Sequence, residues 1–249
     1  MPTPYIQLAL GAGAGLLAGA INTIAGGGGF IVFSTLVATG LAPATVNGTM
    51  RCGLLLQNAT ACLTFYRRGF HDRQTTVKLL PAICLGALVG ALLATRLPTG
   101  LFRMIAGCAF ILWGPVLIAK PGSFSKPATT ASPPTRWWVS ALTFLTGVYG
   151  GFLQAGVGFP LMALLISALG VEPVRANAIK VALVLGYTVV VLPLFIQAEQ
   201  IAWVAGAGLA LGMTVGAWIG VHLQIKRGAG FIRWVLVVMV IVAGLTMVL

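Results

Sequence analysis

Residues 18–30 read AGAINTIAGGGGF, an apolar helical run that meets four consecutive glycines, Gly26, Gly27, Gly28 and Gly29. Each glycine weakens a helix by about 1 kcal/mol relative to alanine, so the run predicts an unwound point. A second stretch, GGFLQAGVGFP at residues 150–160, repeats the theme with Gly150 and Gly151, then Gly156 and Gly158 ahead of Pro160. The apolar segments after the breaks, 29–41 and 159–170, have about 12 residues each, roughly 18 Å at helical rise, whereas a bilayer span takes about 20 residues. Each is therefore expected to be a half-helix whose N-terminus starts within a membrane. Its free N–H groups and partial positive charge would suit an anion. Pro160 fits the first turn of such a helix.

Composition gives the membrane assignment independently. Of the 249 residues, 59 % are hydrophobic and 7 % charged, and the mean hydropathy is +1.02. A soluble domain carries about 25 % charged residues. A barrel would alternate apolar and polar residues; the long unbroken apolar runs here predict an all-α, polytopic protein instead. The net charge of +12 reads as positive residues marking cytoplasmic loops, not as a nucleic-acid surface. Cys52, Cys62, Cys84 and Cys108 lie in apolar runs without ligand spacing and read as small core residues. The first residues have no basic n-region, so the first apolar run reads as a retained helix.

Ten apolar segments can be marked: about 5–25, 29–41, 44–66, 75–95 and 101–119, then 137–155, 159–170, 174–196, 201–222 and 231–249. They divide into a first repeat at 1–119, a linker at 120–136 rich in Pro, Ser and Thr, and a second repeat at 137–249. A shift of about 130 residues lays Gly26 and Gly28 on Gly156 and Gly158, Gly40 on Gly170, Pro43 on Pro173 and Asn47 on Asn177. A slightly smaller shift lays GALVGA at 86–91 on GMTVGA at 212–217.

Equivalent loops carry opposite charge. Arg67, Arg68, Arg73 and Lys78 follow the third segment, whereas its counterpart around Gln197–Gln200 has no positive residue. The next loops reverse the pattern: Arg96 and Arg103 are expected outside, while Lys126, Arg136, Lys226, Arg227 and Arg233 are expected inside. By the positive-inside rule the two repeats are inverted, which five segments per half also requires. Both termini are then expected outside. Inverted repeats are a common plan for secondary transporters.

Three cations fall outside those loops. Arg175 is near the start of its segment and reads as reaching for headgroups. Arg51 is eight residues past Pro43 and Lys180 seven past Pro173, or about 12 and 10 Å deep at helical rise. A charge at the bilayer centre costs at least about 2.5 kcal/mol. The three acids, Asp72, Glu172 and Glu199, all fall in or beside loops, so a bound anion is the expected partner. Asn47 precedes Arg51 by four residues and Asn177 precedes Lys180 by three, which puts amide and cation on one helix face in each half. The expected substrate site is thus Gly26–Gly29, Asn47 and Arg51 with Gly156, Gly158, Asn177 and Lys180, near the midplane. Gln57, Asn58 and Gln154 could line a path or bond between helices. The stripes Gly11, Gly15, Gly19 and Gly208, Gly212, Gly216, Gly220 read as helix packing.

The stretches at 15–50 (GLLAGAINTIAGGGGFIVFSTLVATGLAPATVNGTM) and 146–185 (TGVYGGFLQAGVGFPLMALLISALGVEPVRANAIKVALVL), with YRRG at 66–69, resemble the sulfite exporter TauE/SafE family, also called the toluene sulfonate uptake permease family. The resemblance runs over nearly the whole chain. It implies an inner-membrane, multi-pass carrier for sulfur-containing anions such as sulfite, sulfoacetate or other organosulfonates. It carries a role to Gly26–Gly29, Gly156, Gly158, Asn47, Asn177 and Lys180, while Arg51 rests on the charge argument. Val157 and Phe159 stand where the first break has Gly27 and Gly29, so the second break departs from the first. An anion channel with the same site is the alternative. No Ser/His/Asp set, metal cluster or buried acid suggests an enzyme; His71 sits in a basic loop and His222 ends a helix. No cofactor is expected; the partners are a small anion and the lipid bilayer. Oligomeric state is open.

Overall fold

The structure, a computed structural model, describes residues 4–119 and 137–248. The expected linker at 120–136, with Lys126 and Arg136, lies outside the described residues, as does the side chain of Arg233. Every regular element described is helical. The elements are α1 (Pro4–Ile24), α2 (Gly28–Ala38), α3 (Pro43–Arg67), α4 (Arg73–Arg96), α5 (Thr99–Ala119), α6 (Trp137–Phe152), α7 (Gly158–Ala163, continued by a π turn at Leu164–Ala168), α8 (Pro173–Gln197) and α9 (Trp203–Val248). Non-helical backbone at Gly228 interrupts α9 between the last two expected segments.

Tyr5–Ile24, Arg73–Arg96, Pro173–Gln197 and Trp203–Gly228 are long and apolar enough to cross a membrane. The 25 residues of α3 give a helix of about 37 Å, but it carries Asn47, Thr49, Arg51, Gln57 and Asn58, all buried. The outer surface is the apolar one: Leu17 is 63 % exposed, Leu85 60 % and Leu211 63 %. Polar groups inside and leucines outside is the arrangement lipid selects, because lipid cannot satisfy a polar side chain.

The most extensive helix contacts are α1 with α9 and α4 with α6, followed by α3 with α9, α3 with α8 and α4 with α8. Glycine stripes make the first two pairs close. A Cβ on Gly11 would lie 3.0 Å from the Ala205 carbonyl oxygen, and one on Gly15 2.9 Å from that of Leu209. From the facing side, added Cβ atoms at Gly208, Gly212 and Gly216 would strike the carbonyl oxygens of Leu8, Ala12 and Leu16. The expected packing stripes thus interlock with each other. The α4–α6 pair is built alike: Gly86 and Gly90 abut the Phe144 and Val148 carbonyls, and Gly147 and Gly151 abut those of Ile83 and Ala87.

The breaks are shorter than the glycine runs suggest. In the first, only residues 25–27 leave the helix, and Gly28 and Gly29 open α2. Their lack of side chain serves packing: a Cβ on Gly28 would enter the Ala18 carbonyl, and one on Gly29 would lie 2.9 Å from Ala155 Cα. Gly150 and Gly151 likewise remain helical in α6, whose break covers residues 153–157. The left-handed turn is made by one glycine in each break, Gly26 at φ 90° and Gly156 at φ 83°. That conformation costs other residues roughly 1–2 kcal/mol. Gly40 and Gly170, the next aligned pair, are also left-handed.

Pro43 and Pro173 occupy the first turns of α3 and α8, where a missing N–H is harmless. Two of the acids cap helices. Asp72 accepts from the Thr75 N–H at 2.9 Å at the start of α4, and Glu172 accepts from the N–H groups of Val174 and Arg175, both at 3.1 Å, at the start of α8. Neither acid is used to offset a buried cation.

Candidate functional site

A helix that stops leaves carbonyl oxygens without intrahelical donors, and stopping inside a membrane removes water as the substitute. The two helices α1 and α6 end at Ile24 and Phe152, among buried residues. In both cases the donors come from the other half of the chain.

At the end of α6, Asn47 donates from Nδ2 to the Phe152 carbonyl at 2.9 Å, and its Oδ1 accepts from the Gln154 N–H at 3.2 Å. Arg51 donates from Nη2 to the carbonyls of Gly151 at 2.5 Å and Gly150 at 3.3 Å. Its Nη1 donates to Gln154 Oε1 at 3.2 Å. The guanidinium lies 4.1 Å from the centroid of the Phe195 ring, a cation–π distance. Tyr187 donates its hydroxyl to the same Gln154 Oε1 at 3.1 Å.

At the end of α1, Asn177 donates from Nδ2 to the Ile24 carbonyl at 2.8 Å and to Gln224 Oε1 at 2.7 Å. Lys180 donates from Nζ to the carbonyls of Asn22 at 3.0 Å and Thr23 at 3.2 Å. Asn22 donates from Nδ2 to Gln57 Oε1 at 3.3 Å. Asn47, Arg51, Gln57, Gln154, Asn177, Lys180 and Gln224 are all buried.

The expected co-facing of amide and cation is present in both halves, but each cation has a protein partner. Arg51 and Lys180 sit on helix C-terminal carbonyls, the negative end of a helix dipole. Protein carbonyls therefore already partner both cations, and the expected bound anion is not needed to match them. Carbonyl dipoles do part of what a carboxylate would have done. Arg175, by contrast, is exposed at the first turn of α8.

The two breaks also touch. A Cβ on Gly26 would lie 2.6 Å from Gly158 Cα. The starts of α2 and α7 thus meet at Gly26 and Gly158, and neither helix has a side-chain cap at its N-terminus. Phe30 and Phe159 stack beside them with ring centroids 6.4 Å apart. A separate cavity of about 610 Å³, lined by Cys62, Tyr66, His71, Arg73 and Ala178 among others, contains none of the expected site residues.

Sequence reasoning missed Asn22, Thr23, Tyr187, Phe195 and Gln224. Two signals were available. Tyr187 is the position that the shift of about 130 residues aligns with Gln57, and Asn22-Thr23 is the polar pair just before the glycine run. Gln224 stands close to Lys226 and Arg227 and reads as the start of a basic loop, although α9 continues through it.

Comparison with known proteins agrees with this architecture. The sulfite exporter TauE/SafE family pattern matches residues 11–247. A probable membrane transporter protein, ORF9, of Sinorhizobium sp is 28 % identical over 227 residues, covering 90 % of this chain and 86 % of that protein. A probable membrane transporter protein of Haemophilus influenzae is 25 % identical over 225 residues, covering 90 % of this chain and 88 % of its own length. The probable membrane transporter protein YfcA of Escherichia coli K12 is 25 % identical over the same length, with 90 % and 82 % covered. No solved structure matches the chain. With the family pattern spanning nearly its whole length, the chain belongs to the sulfite exporter TauE/SafE family of membrane transporters.

Proposed function

We propose that the protein carries a small sulfur-containing anion, sulfite or an organosulfonate, across the inner membrane, and that its working direction is export. The observation that carries the reading is the reciprocal capping of the broken helices. Asn47 and Arg51 of the first half hold the end of α6, and Asn177 and Lys180 of the second hold the end of α1. Two helix ends, each held by one cation and one asparagine, and the contact of the two breaks at Gly26 and Gly158 support a shared site. It suits an anion at the midplane between two inverted repeats, with α2 and α7 as re-entrant half-helices.

Three further features support the inverted repeat. The pairings α1–α9 and α4–α6 are each other's equivalents under exchange of the halves, as are α3–α9 and α8–α4. Left-handed glycines recur at both aligned pairs. The cationic loop after α3 has an uncharged-to-acidic counterpart after α8, as opposite membrane sides require. The choice of a sulfur oxyanion rests on family membership and on the donors at the crossing.

Counterflow in proteoliposomes tests the reading. Vesicles preloaded with unlabelled sulfite should take up trace radiolabelled sulfite faster than empty vesicles, and methanesulfonate inside should substitute for sulfite. Uptake that is saturable but indifferent to internal anion would identify a channel. Absence of uptake of sulfite, methanesulfonate and taurine alike would overturn the substrate class.

A further inference from the structure

The two half-sites differ in what they leave over. At the α6 end most polar groups close on each other, and one buried atom, Arg51 Nε, has no partner. Arg51 gives Nη1 and Nη2 to Gly150, Gly151 and Gln154 with its face on Phe195, Asn47 uses both ends of its amide, and Tyr187 has Gln154. At the α1 end four buried atoms have no partner: Thr23 Oγ1, Gln57 Nε2, Asn177 Oδ1 and Gln224 Nε2. Thr23, Gln57, Asn177 and Gln224 are each 0 % exposed, so water at the surface does not satisfy them.

The surplus is chiefly of donors, and the orientation of Gln224 is forced. The Ile24 carbonyl can only accept, so Asn177 must turn its NH2 toward it; that same NH2 also reaches Gln224 Oε1. Gln224 therefore turns its own NH2 away, with no acceptor. The Lys180 ammonium has three N–H groups and gives two bonds to carbonyls. A Cβ built on Gly220 would lie 3.3 Å from Thr23 Cβ, and Gln224, four residues on, shares that face of α9. Thr23 on α1, Gln224 on α9 and Lys180 on α8 thus meet at the end of α1. Buried donors without acceptors are costly, and an oxyanion satisfies several at once.

We infer that the anion is bound at the α1 half-site, by Lys180, Thr23, Gln224 and Gln57, while Arg51 in the α6 half-site is a structural clamp that holds the second break and does not touch substrate. The inference rests on the anion-carrier reading and assigns its ligand contacts to one side. It adds Thr23, Gln57 and Gln224 as binding residues and withdraws Arg51. The unused Asn177 Oδ1 is an acceptor, which favours a ligand with a proton to give: bisulfite, or a sulfonate bearing an ammonium or hydroxyl group.

Thermal stabilisation of the purified protein by sulfite, methanesulfonate and taurine, against a chloride control, tests it. Thr23→Val is the decisive variant because its hydroxyl bonds nothing in the protein. Its ligand-free melting temperature should match or exceed wild type, while the sulfite concentration for half-maximal stabilisation rises about tenfold or more, as loss of one charged hydrogen bond predicts. Gln224→Leu should show the same loss of affinity. Gln154→Leu, on the other side, should lower the ligand-free melting temperature and leave that concentration within twofold. If Thr23→Val and Gln224→Leu keep wild-type affinity while wild type is stabilised, the half-site assignment is overturned and the carrier reading stands. If none of the three anions stabilises wild type, both fall.

Discussion

Replacing Arg51 by leucine should destabilise the protein more than any other single change in the α6 half-site. Arg51 is 0 % exposed and makes three hydrogen bonds, to Gly150, Gly151 and Gln154. Leucine also removes the cost of keeping a guanidinium out of water, which is several kcal/mol, so the bonds cannot simply be summed. What remains is the acceptors left behind. Gln154 Oε1 keeps the Tyr187 hydroxyl. The Gly150 carbonyl would normally accept from the N–H of residue 154, but that group is engaged with Asn47, so Gly150 and Gly151 are both stranded. An unpaired buried acceptor costs about 1–3 kcal/mol, and the lost cation–π contact about 2 kcal/mol when desolvated. Two stranded acceptors and the lost contact amount to about 4–8 kcal/mol; relief of the buried guanidinium offsets part of this, leaving about 3–5 kcal/mol, in line with breaking one side of a buried charged pair. At roughly 2–4 °C per kcal/mol for a chain of this length, the melting temperature should fall by about 10 °C. Fluorescence-detected size-exclusion chromatography of heated, detergent-solubilised protein reads this directly. Arg51→Lys should lie between, because an ammonium cannot present a planar fork to three acceptors. An Arg51→Leu protein melting within about 2 °C of wild type would show that the clamp holds nothing.

Other substitutions separate the roles of the glycines and caps. Gly212→Ala drives a methyl into the Ala12 carbonyl and should cost about 1–3 kcal/mol by overpacking, whereas Gly13→Ala meets nothing within 4 Å and should be neutral or stabilising by up to about 1 kcal/mol; melting curves of the two distinguish packing from propensity. Gly26→Ala combines a left-handed φ with a collision against Gly158 and should abolish transport and folded yield, while Gly40→Ala has the same φ sign in open space and should cost only about 1–2 kcal/mol. Asp72→Ala removes the cap on α4 and should cost about 0.5–2 kcal/mol, seen as a lower melting temperature with unchanged sulfite affinity.

Much of this arrangement is readable in the sequence, and the reasons for the gaps are physical. Apolar runs and proline positions place the helices, because in lipid the backbone has no other way to satisfy itself. Four-residue glycine spacing announces close helix packing, but not that α1 and α9 are the partners. The four-glycine run is harder, since one residue type serves two ends: Gly26 makes the turn, whereas Gly28 and Gly29 only let α2 approach Ala18 and Ala155. The partners of Arg51 and Lys180 are not readable locally. They are backbone carbonyls, which carry no sequence signature, and they lie 100 and 157 residues away at Gly151 and Thr23. A search for carboxylates therefore finds the cations alone when they are not.

The interlocked stripes constrain how such a molecule can move. Because α1 is keyed to α9 and α4 to α6 at backbone contact, each tight pair draws one helix from either side of the linker. Tight packing of this kind slides poorly, being bistable and not smoothly deformable. Any opening toward one side and then the other must therefore carry the pairs as intact struts. The give is left to the seams between them, at α3 against α8 and at the two touching breaks. The stiff units are then not the two halves of the chain but two hybrids of them, α1 with α9 and α4 with α6.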